Sequence, residues 1–360
     1  MSTLIQIIHA EIAAFGVMPF ARFMELALYC PEYGYYERQK DTVGRRGDFI
    51  TSVSSGELFG QLLAFQFVGW LEQLRTVDGA LQIVEAGAHD GKLAGDILGW
   101  LQSNHPGLFE RIQYVIVEPS PRRQAWQRET LLGFTPHVRW LSQIAEPGHD
   151  KLNGIIFSNE LLDAFPVCRH GWDAKNRQWF EWGVTVEAGK FVWARLQASG
   201  FGISHPELEA VLPDNYTIET SPAAGAWWRA AAESLARGRL LAIDYGFTGA
   251  ERFSPARTHG TLRAYSRHRV SDDLLANPGQ QDLTAHVDFS ALQQVGEAAG
   301  LTTECFSTQP QFLTRILEKA VREKSFKDWP PGRTRQLQTL THPEHLGRAF
   351  NVLVQSRCSS

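Results

Sequence analysis

Ile83-Val84-Glu85-Ala86-Gly87-Ala88-His89-Asp90-Gly91-Lys92-Leu93 decides the fold, because an apolar β-type run ends in an acid, passes a glycine-spaced turn and opens a helix. Gly87 and Gly91 permit backbone angles and a close approach that a Cβ forbids. The helix beginning near Lys92 is expected to offer free N–H groups at its start, so the turn reads as a nucleotide-type cofactor site. Its spacing is E-x-G-x-x-x-G, with His89 where a middle glycine is common, which misses the dinucleotide fingerprint G-x-G-x-x-G. The phosphate-loop pattern G-x-x-x-x-G-K-S/T is absent too. An ordinary strand-to-helix turn is the competing reading.

Outward from this turn, short β-branched runs alternate with amphipathic helices: Leu81–Glu85, Tyr114–Glu118, His137–Leu141, Gly154–Ser158 and Leu240–Asp244. Thr302–Phe306 and Phe350–Gln355 add two candidates in the tail. Strands spaced by helices predict an α/β fold, a mostly parallel, doubly wound sheet of seven strands with an antiparallel one at the end. Residues 1–75 read as a helical cap carrying the aromatic loop Tyr29–Tyr36, and the sheet core is expected over 76–175 and 235–357. In the insertion between them, 176–234, two alternating runs flank Glu187-Ala188-Gly189-Lys190, which predicts a β-hairpin. Its tryptophans read as packing residues before they read as a binding platform.

Bulk properties exclude several function classes. Among 360 residues, 35 basic side chains against 39 acidic ones give a net charge of −4, so no polycationic field favours nucleic acid as a partner. Cys30, Cys168, Cys305 and Cys358 are far apart and form no C-x-x-C pair, which predicts a reducing compartment and no structural metal. No run is long and apolar enough to span a bilayer, and the opening residues resemble neither a secretory leader nor an Arg-rich presequence; a cytoplasmic chain is expected.

The chemistry-bearing residues gather where strands end. Glu85 ends the first sheet strand and Glu118 the second, so both carboxylates point into the crevice that binds ligands in open parallel sheets. Glu118 is placed to accept both hydroxyls of a ribose, while Glu85 fixes the turn or reaches a ligand ammonium through water. This pattern, an acid before the glycines and no phosphate loop, leans toward S-adenosylmethionine. The fourth strand ends in Ser158-Asn159-Glu160-Leu161-Leu162-Asp163, which sets Asn159, Glu160 and Asp163 around one cavity. Methyl transfer from a sulfonium is an in-line displacement, governed by alignment and removal of a proton. If the acceptor is arginine, its always-charged guanidinium needs carboxylates to grip it, a role suited to Glu160 and Asp163; Asp163 as a mere turn cap is the alternative. Asp48 and Thr51, in Gly47–Ser52, are placed to close over a cofactor, although Ser52 or Ser54 has the commoner use of a helix cap. His286 is a candidate for orienting substrate or accepting a proton, against the usual structural role of a lone histidine.

Taken together, the words GDFITS (47–52), EAGAHDGKL (85–93), VEPS (117–120), SNELLDAFPV (158–167), DYG (244–246), GTLRAY (260–265), LANPG (275–279) and DLTAHVDF (282–289) resemble the MidA family of class I methyltransferases, in order and over nearly the whole chain from Ile8 to Val354. That family includes mitochondrial protein-arginine methyltransferases needed for respiratory complex I assembly. The resemblance implies a Rossmann-like seven-stranded sheet, S-adenosylmethionine as donor and a protein arginine as acceptor, on a respiratory complex subunit for example. It carries Gly87 and Gly91 onto the cofactor loop, Glu118 onto the acid after the second strand and Asn159-Glu160 onto the Asn-Glu pair after the fourth. Two departures stand out: Ala88 and His89 replace a proline and a glycine, and Val53-Ser54 replaces a Pro-Glu. They keep open a second reading, a non-catalytic cofactor-binding assembly factor. A nicotinamide oxidoreductase is disfavoured by the missing fingerprint, and a homodimer is compatible with the sequence.

Overall fold

Seven strands follow one another across a single sheet: β1 Leu81–Ala86, β2 Ile112–Val117, β3 Val138–Leu141, β4 Leu152–Asn159, β5 Leu235–Phe247, β6 Thr302–Thr308 and β7 Phe350–Arg357. This is a computed structural model, and it describes residues 3–38, 51–74, 81–145, 151–197, 206–266, 269–271, 273–326, 328–342, 346 and 350–358. Asp48, expected over the cofactor, lies outside the described residues. The strands follow the order β6-β7-β5-β4-β1-β2-β3, and an eighth strand, two residues long, lies off that path. Strands β1 to β5 run parallel, whereas β7 is antiparallel to both β5 and β6.

This order places the site. The chain winds from β1 outward to β2 and β3, then returns to lay β4 on the other side of β1, which makes the β1–β4 junction a topological switch point. The carboxyl ends of β1 and β4 are therefore neighbours, in the register Ala86↔Ser158. Central strands read as continuous apolar runs because helices cover both faces: Ile83, Val84, Val115, Ile116, Ile156, Phe157, Leu241 and Ile243 are all fully buried. Each such side chain contributes about 1.5–3 kcal/mol relative to exposure. Helix Leu58–Glu72 is apolar almost all round and buries twelve residues, with Phe67 and Phe157 ring centroids 5.2 Å apart.

The chain divides into two compact units. The second, 40–162, 226–246 and 291–360, carries this sheet. The first comprises 1–39, 163–225 and 247–290. Its five-stranded sheet joins Met18–Pro19, Gln178–Glu187, Lys190–Gln197, Cys168–Asp173 and Thr217–Thr220. Gln178–Glu187 and Lys190–Gln197 are the anticipated hairpin, and its turn residues Ala188 and Gly189 have φ of +48° and +77°, the mirror-image geometry that two-residue hairpins favour. The tryptophans pack: Trp193 lies 5.1 Å from the Phe20 ring and 6.1 Å from that of Trp182. The aromatic loop turns inward as well. Tyr29 donates to the Ala164 carbonyl at 2.9 Å, and Tyr36 to Asp282 Oδ1 at 2.8 Å.

Candidate functional site

At the end of β1 the backbone enters the left-handed region three times, at Gly87 (φ +77°), His89 (+46°) and Gly91 (+85°). A Cβ on Gly87 would stand 2.8 Å from Leu161 Cδ1, so the turn sits tightly against the segment that follows β4. Gly91 closes the turn by donating to the Ala88 carbonyl at 2.7 Å. Of the N–H groups expected to be free at the start of the next helix, Lys92–Asn104, that of Lys92 is taken: Asp90 Oδ1 accepts from it at 3.0 Å. The Lys92 ammonium is bound too, 2.6 Å from Asp96 Oδ2. A short acid two residues back captures the first donor, and an i,i+4 acid takes the charge.

Gln127 ties this turn to the acid after β2. Buried on helix Pro121–Thr130, it donates through Nε2 to the His89 carbonyl at 3.1 Å and to Glu118 Oε2 at 3.3 Å, while its Oε1 accepts from Trp140 Nε1 at 2.9 Å. The His89 ring lies 6.5 Å from that of Trp126 on the same helix. Glu118 is 2% exposed; its Oε1 accepts from the Ser120 N–H and from Arg123 Nη2, both at 2.8 Å. These bonds hold the carboxylate rigidly, and since a carboxylate has about four acceptor directions, its capacity to accept exceeds these three donors. Sequence reasoning missed Gln127 and Arg123. The available signal was an amide and a guanidinium one turn apart on a polar helix, which periodicity alone reads as solvated.

Glu85 is also 2% exposed, and its Oε2 accepts from the Tyr114 hydroxyl at 2.6 Å. Burial raises its pKa from 4.5 to about 8, against the opposing hydrogen bond from Tyr114. The folded protein therefore keeps a proton that the unfolded chain loses above pH 4.5, so Glu85's contribution to stability is full below pH 4.5 and is lost as the pH rises toward 8. Glu85→Gln keeps the acceptor for Tyr114 and removes the ionisation. Melting curves are expected to show wild type and variant alike near pH 4.5, with the variant gaining several kcal/mol, as an order of magnitude, by pH 8. A pH-independent difference would mean that Glu85 is ionised in the fold.

At the end of β4, Asn159 is 8% exposed and its Oδ1 is a buried acceptor without a donor among the described residues. Its Nδ2 donates to Glu160 Oε1 at 3.2 Å, and the same oxygen accepts from the Ser52 N–H at 3.0 Å. Glu160 has φ +51°, a conformation that a residue with a Cβ keeps only where its surroundings impose it. The Ser52 hydroxyl donates to Gln309 Oε1 at 3.2 Å, anchoring that donor. Thr51 is used in its own turn: Thr51 N–H donates to Ser54 Oγ at 2.9 Å, and Ser54 N–H to Thr51 Oγ1 at 3.1 Å. Asp244, three residues before the end of β5, accepts from the Leu161 and Leu162 N–H groups through Oδ2.

Glu85, Gly87, His89, Gly91, Glu118, Asn159, Glu160 and Thr51 thus all fall in the unit that carries the large sheet, whereas Asp163 and His286 fall in the other. There they come together, since the Asp163 carbonyl accepts from the N–H of Ala285 at 2.9 Å, one residue before His286. Burial pushes the His286 imidazole down to about 4, so it is neutral at physiological pH. Its Nδ1 is buried without a partner among the described residues, and its backbone N–H donates to Thr261 Oγ1 at 3.1 Å.

Comparison with known proteins follows the same lines. A family model for S-adenosyl-L-methionine-dependent methyltransferases matches residues 62–307. A Burkholderia thailandensis protein solved with S-adenosyl-homocysteine bound is 35% identical, with a TM-score of 0.84, covering 99% of this chain and 92% of that one. Among curated relatives, the Homo sapiens mitochondrial protein arginine methyltransferase NDUFAF7 is 29% identical over 95% of this chain and 80% of its own. The Drosophila melanogaster homolog, also mitochondrial, is 27% identical over 96% of this chain and 83% of its own. These names correct the cytoplasmic expectation, which rested on the absence of a recognisable leader: the curated relatives point to the mitochondrion. No helix among the described residues is long and apolar enough to cross a membrane.

Proposed function

We propose, from the premise that the chain belongs to this S-adenosyl-L-methionine-dependent methyltransferase family, that its methyl acceptor is an arginine of a protein. The rim of the large sheet suits the donor. Its turn is tight enough that a Cβ at position 87 would crowd Leu161, it holds in Asn159 Oδ1 a buried acceptor with no donor among the described residues, and it carries the carboxylates of Glu118 and Glu160 just beyond the ends of β2 and β4. The 87–91 turn would seat the donor, Glu118 would take a ribose hydroxyl through Oε2, and Asn159 Oδ1 would accept from the donor's ammonium. When bound, S-adenosylmethionine supplies a methyl group on a sulfonium, an electrophile that needs alignment more than activation.

The observation that carries the acceptor assignment is Glu160. Its carboxylate is locked by two donors on one oxygen, on a backbone angle held against its own preference, beside the donor turn. A fixed carboxylate would grip the guanidinium and direct electron density to the nitrogen nearest the methyl, which would bond to the methyl carbon as the carbon–sulfur bond breaks and pass its proton to a carboxylate of the site. Asp163, and His286 with its neutral ring, are proposed as acceptor-side residues. The relatives named as protein arginine methyltransferases support the same acceptor.

The test is isotope-labelled methyl transfer into a lysate from a strain lacking the protein, with respiratory complex subunits analysed first and the labelled residue located by fragmentation. Label on arginine is expected; label on lysine, or on a small molecule, overturns the acceptor and leaves the fold intact. S-adenosylhomocysteine, but not NAD, is expected to raise the melting temperature.

A further inference from the structure

The geometry points to Asp244 as the residue that positions Glu160 for methyl transfer, an inference that rests on the acceptor reading above. Parallel pairing of β5 with β4 sets Ile243 opposite Asn159, so Asp244 stands one step beyond the last residue of β4. Its side chain is fully buried. Oδ2 accepts from the Leu161 N–H at 3.1 Å and the Leu162 N–H at 2.8 Å, and Oδ1 from the Tyr245 N–H at 2.8 Å. The Ile243 carbonyl accepts from the Glu160 N–H at 3.0 Å. Three consecutive amides, 160 to 162, are therefore held by two consecutive residues of the next strand.

That clamp accounts for the left-handed angle at Glu160. Leaving β4, the chain must reverse within one residue to deliver the Leu161 and Leu162 N–H groups to the same carboxylate oxygen, and φ +51° at Glu160 is the turn that does so. The clamped segment also bears on the donor turn, since Leu161 Cδ1 lies where a Cβ of residue 87 would collide. One buried carboxylate thus fixes the donor turn and Glu160 relative to each other without belonging to either. The Leu162–Ala164 turn receives the partner of its first N–H from β5.

Asp244→Asn tests it. The amide leaves one oxygen for three N–H groups and sets its own N–H against one of them. Amide exchange at Leu161 and Leu162 is expected to quicken at least about tenfold, kcat to fall about 10- to 100-fold, and S-adenosylhomocysteine affinity to stay within about threefold. Unchanged exchange, or quickened exchange with wild-type kcat, overturns the inference, as does a loss of affinity equal to the loss in kcat, which would mark a merely structural role. Should the amide variant not fold, Asp244→Ser repeats the measurement with a shorter neutral acceptor. If wild-type protein transferred no methyl group to protein arginine, the acceptor reading would fall and the positioning role with it, while the exchange data would still report on the clamp.

Discussion

Glu160→Gln is expected to lower kcat/KM for methyl transfer to a protein arginine by about 10²- to 10³-fold while S-adenosylhomocysteine binds within about threefold of wild type. The substitution is nearly isosteric, and the amide oxygen can keep the bonds from Ser52 N–H and Asn159 Nδ2 that Oε1 now accepts. The negative charge is lost, and an N–H donor faces a guanidinium that has only donors to offer. A charge-assisted bond is worth about 1.5–3 kcal/mol, and replacing it with a repulsive contact adds to that, which sets the expected range. Because the left-handed backbone is kept, the melting temperature should move little. Unchanged product formation would remove Glu160 from the chemistry, and an equal loss of S-adenosylhomocysteine affinity would move it to the donor side.

How much of this was legible beforehand differs by level. The strands were, because central parallel strands are apolar on both faces and leave uninterrupted runs such as Ile83–Val84 and Ile155–Phe157. β5 was anticipated only from Leu240 although it begins at Leu235, since Ala236-Arg237-Gly238-Arg239 carries polar side chains that no apolar pattern assigns to a strand. The places of Glu85, Glu118 and Glu160 were readable from the rule that ligands sit at strand ends. Their states were not. Glu85 holds its proton because burial outweighs the opposing hydrogen bond from Tyr114, and Glu118 is paired because Arg123 and Gln127 reach it from a helix whose rotation no short sequence window fixes. Asp244 shows the limit most clearly: its role exists only through the register of β5 against β4, a long-range pairing that leaves no local trace.

Gly87→Ala is expected to weaken S-adenosylhomocysteine binding by about 100-fold or more, and Gly91→Ala by far less, although both positions have left-handed backbones. The backbone cost is shared: an L-residue at either site loses about 1–2 kcal/mol of stability. What differs is the space. At position 91 the nearest atoms to a new Cβ are Leu131 Cδ1 at 3.3 Å and Gln127 Cα at 3.4 Å, a crowding that small shifts relieve. At position 87 the new Cβ meets Leu161 Cδ1 at 2.8 Å, Cβ at 3.2 Å and Cγ at 3.3 Å; Cδ1 can rotate away, but Cβ is fixed to a backbone whose N–H is held by Asp244. Either the turn swings outward, which spoils the donor seat, or Leu161 moves and carries Glu160 with it. Both routes damage transfer, so Gly87→Ala should lower kcat as well as affinity, whereas Gly91→Ala should mainly lower the melting temperature. Calorimetric titration of the two variants decides between a steric and a purely conformational role for these glycines: equal affinities would show that backbone freedom alone matters and that the contact with Leu161 carries no function.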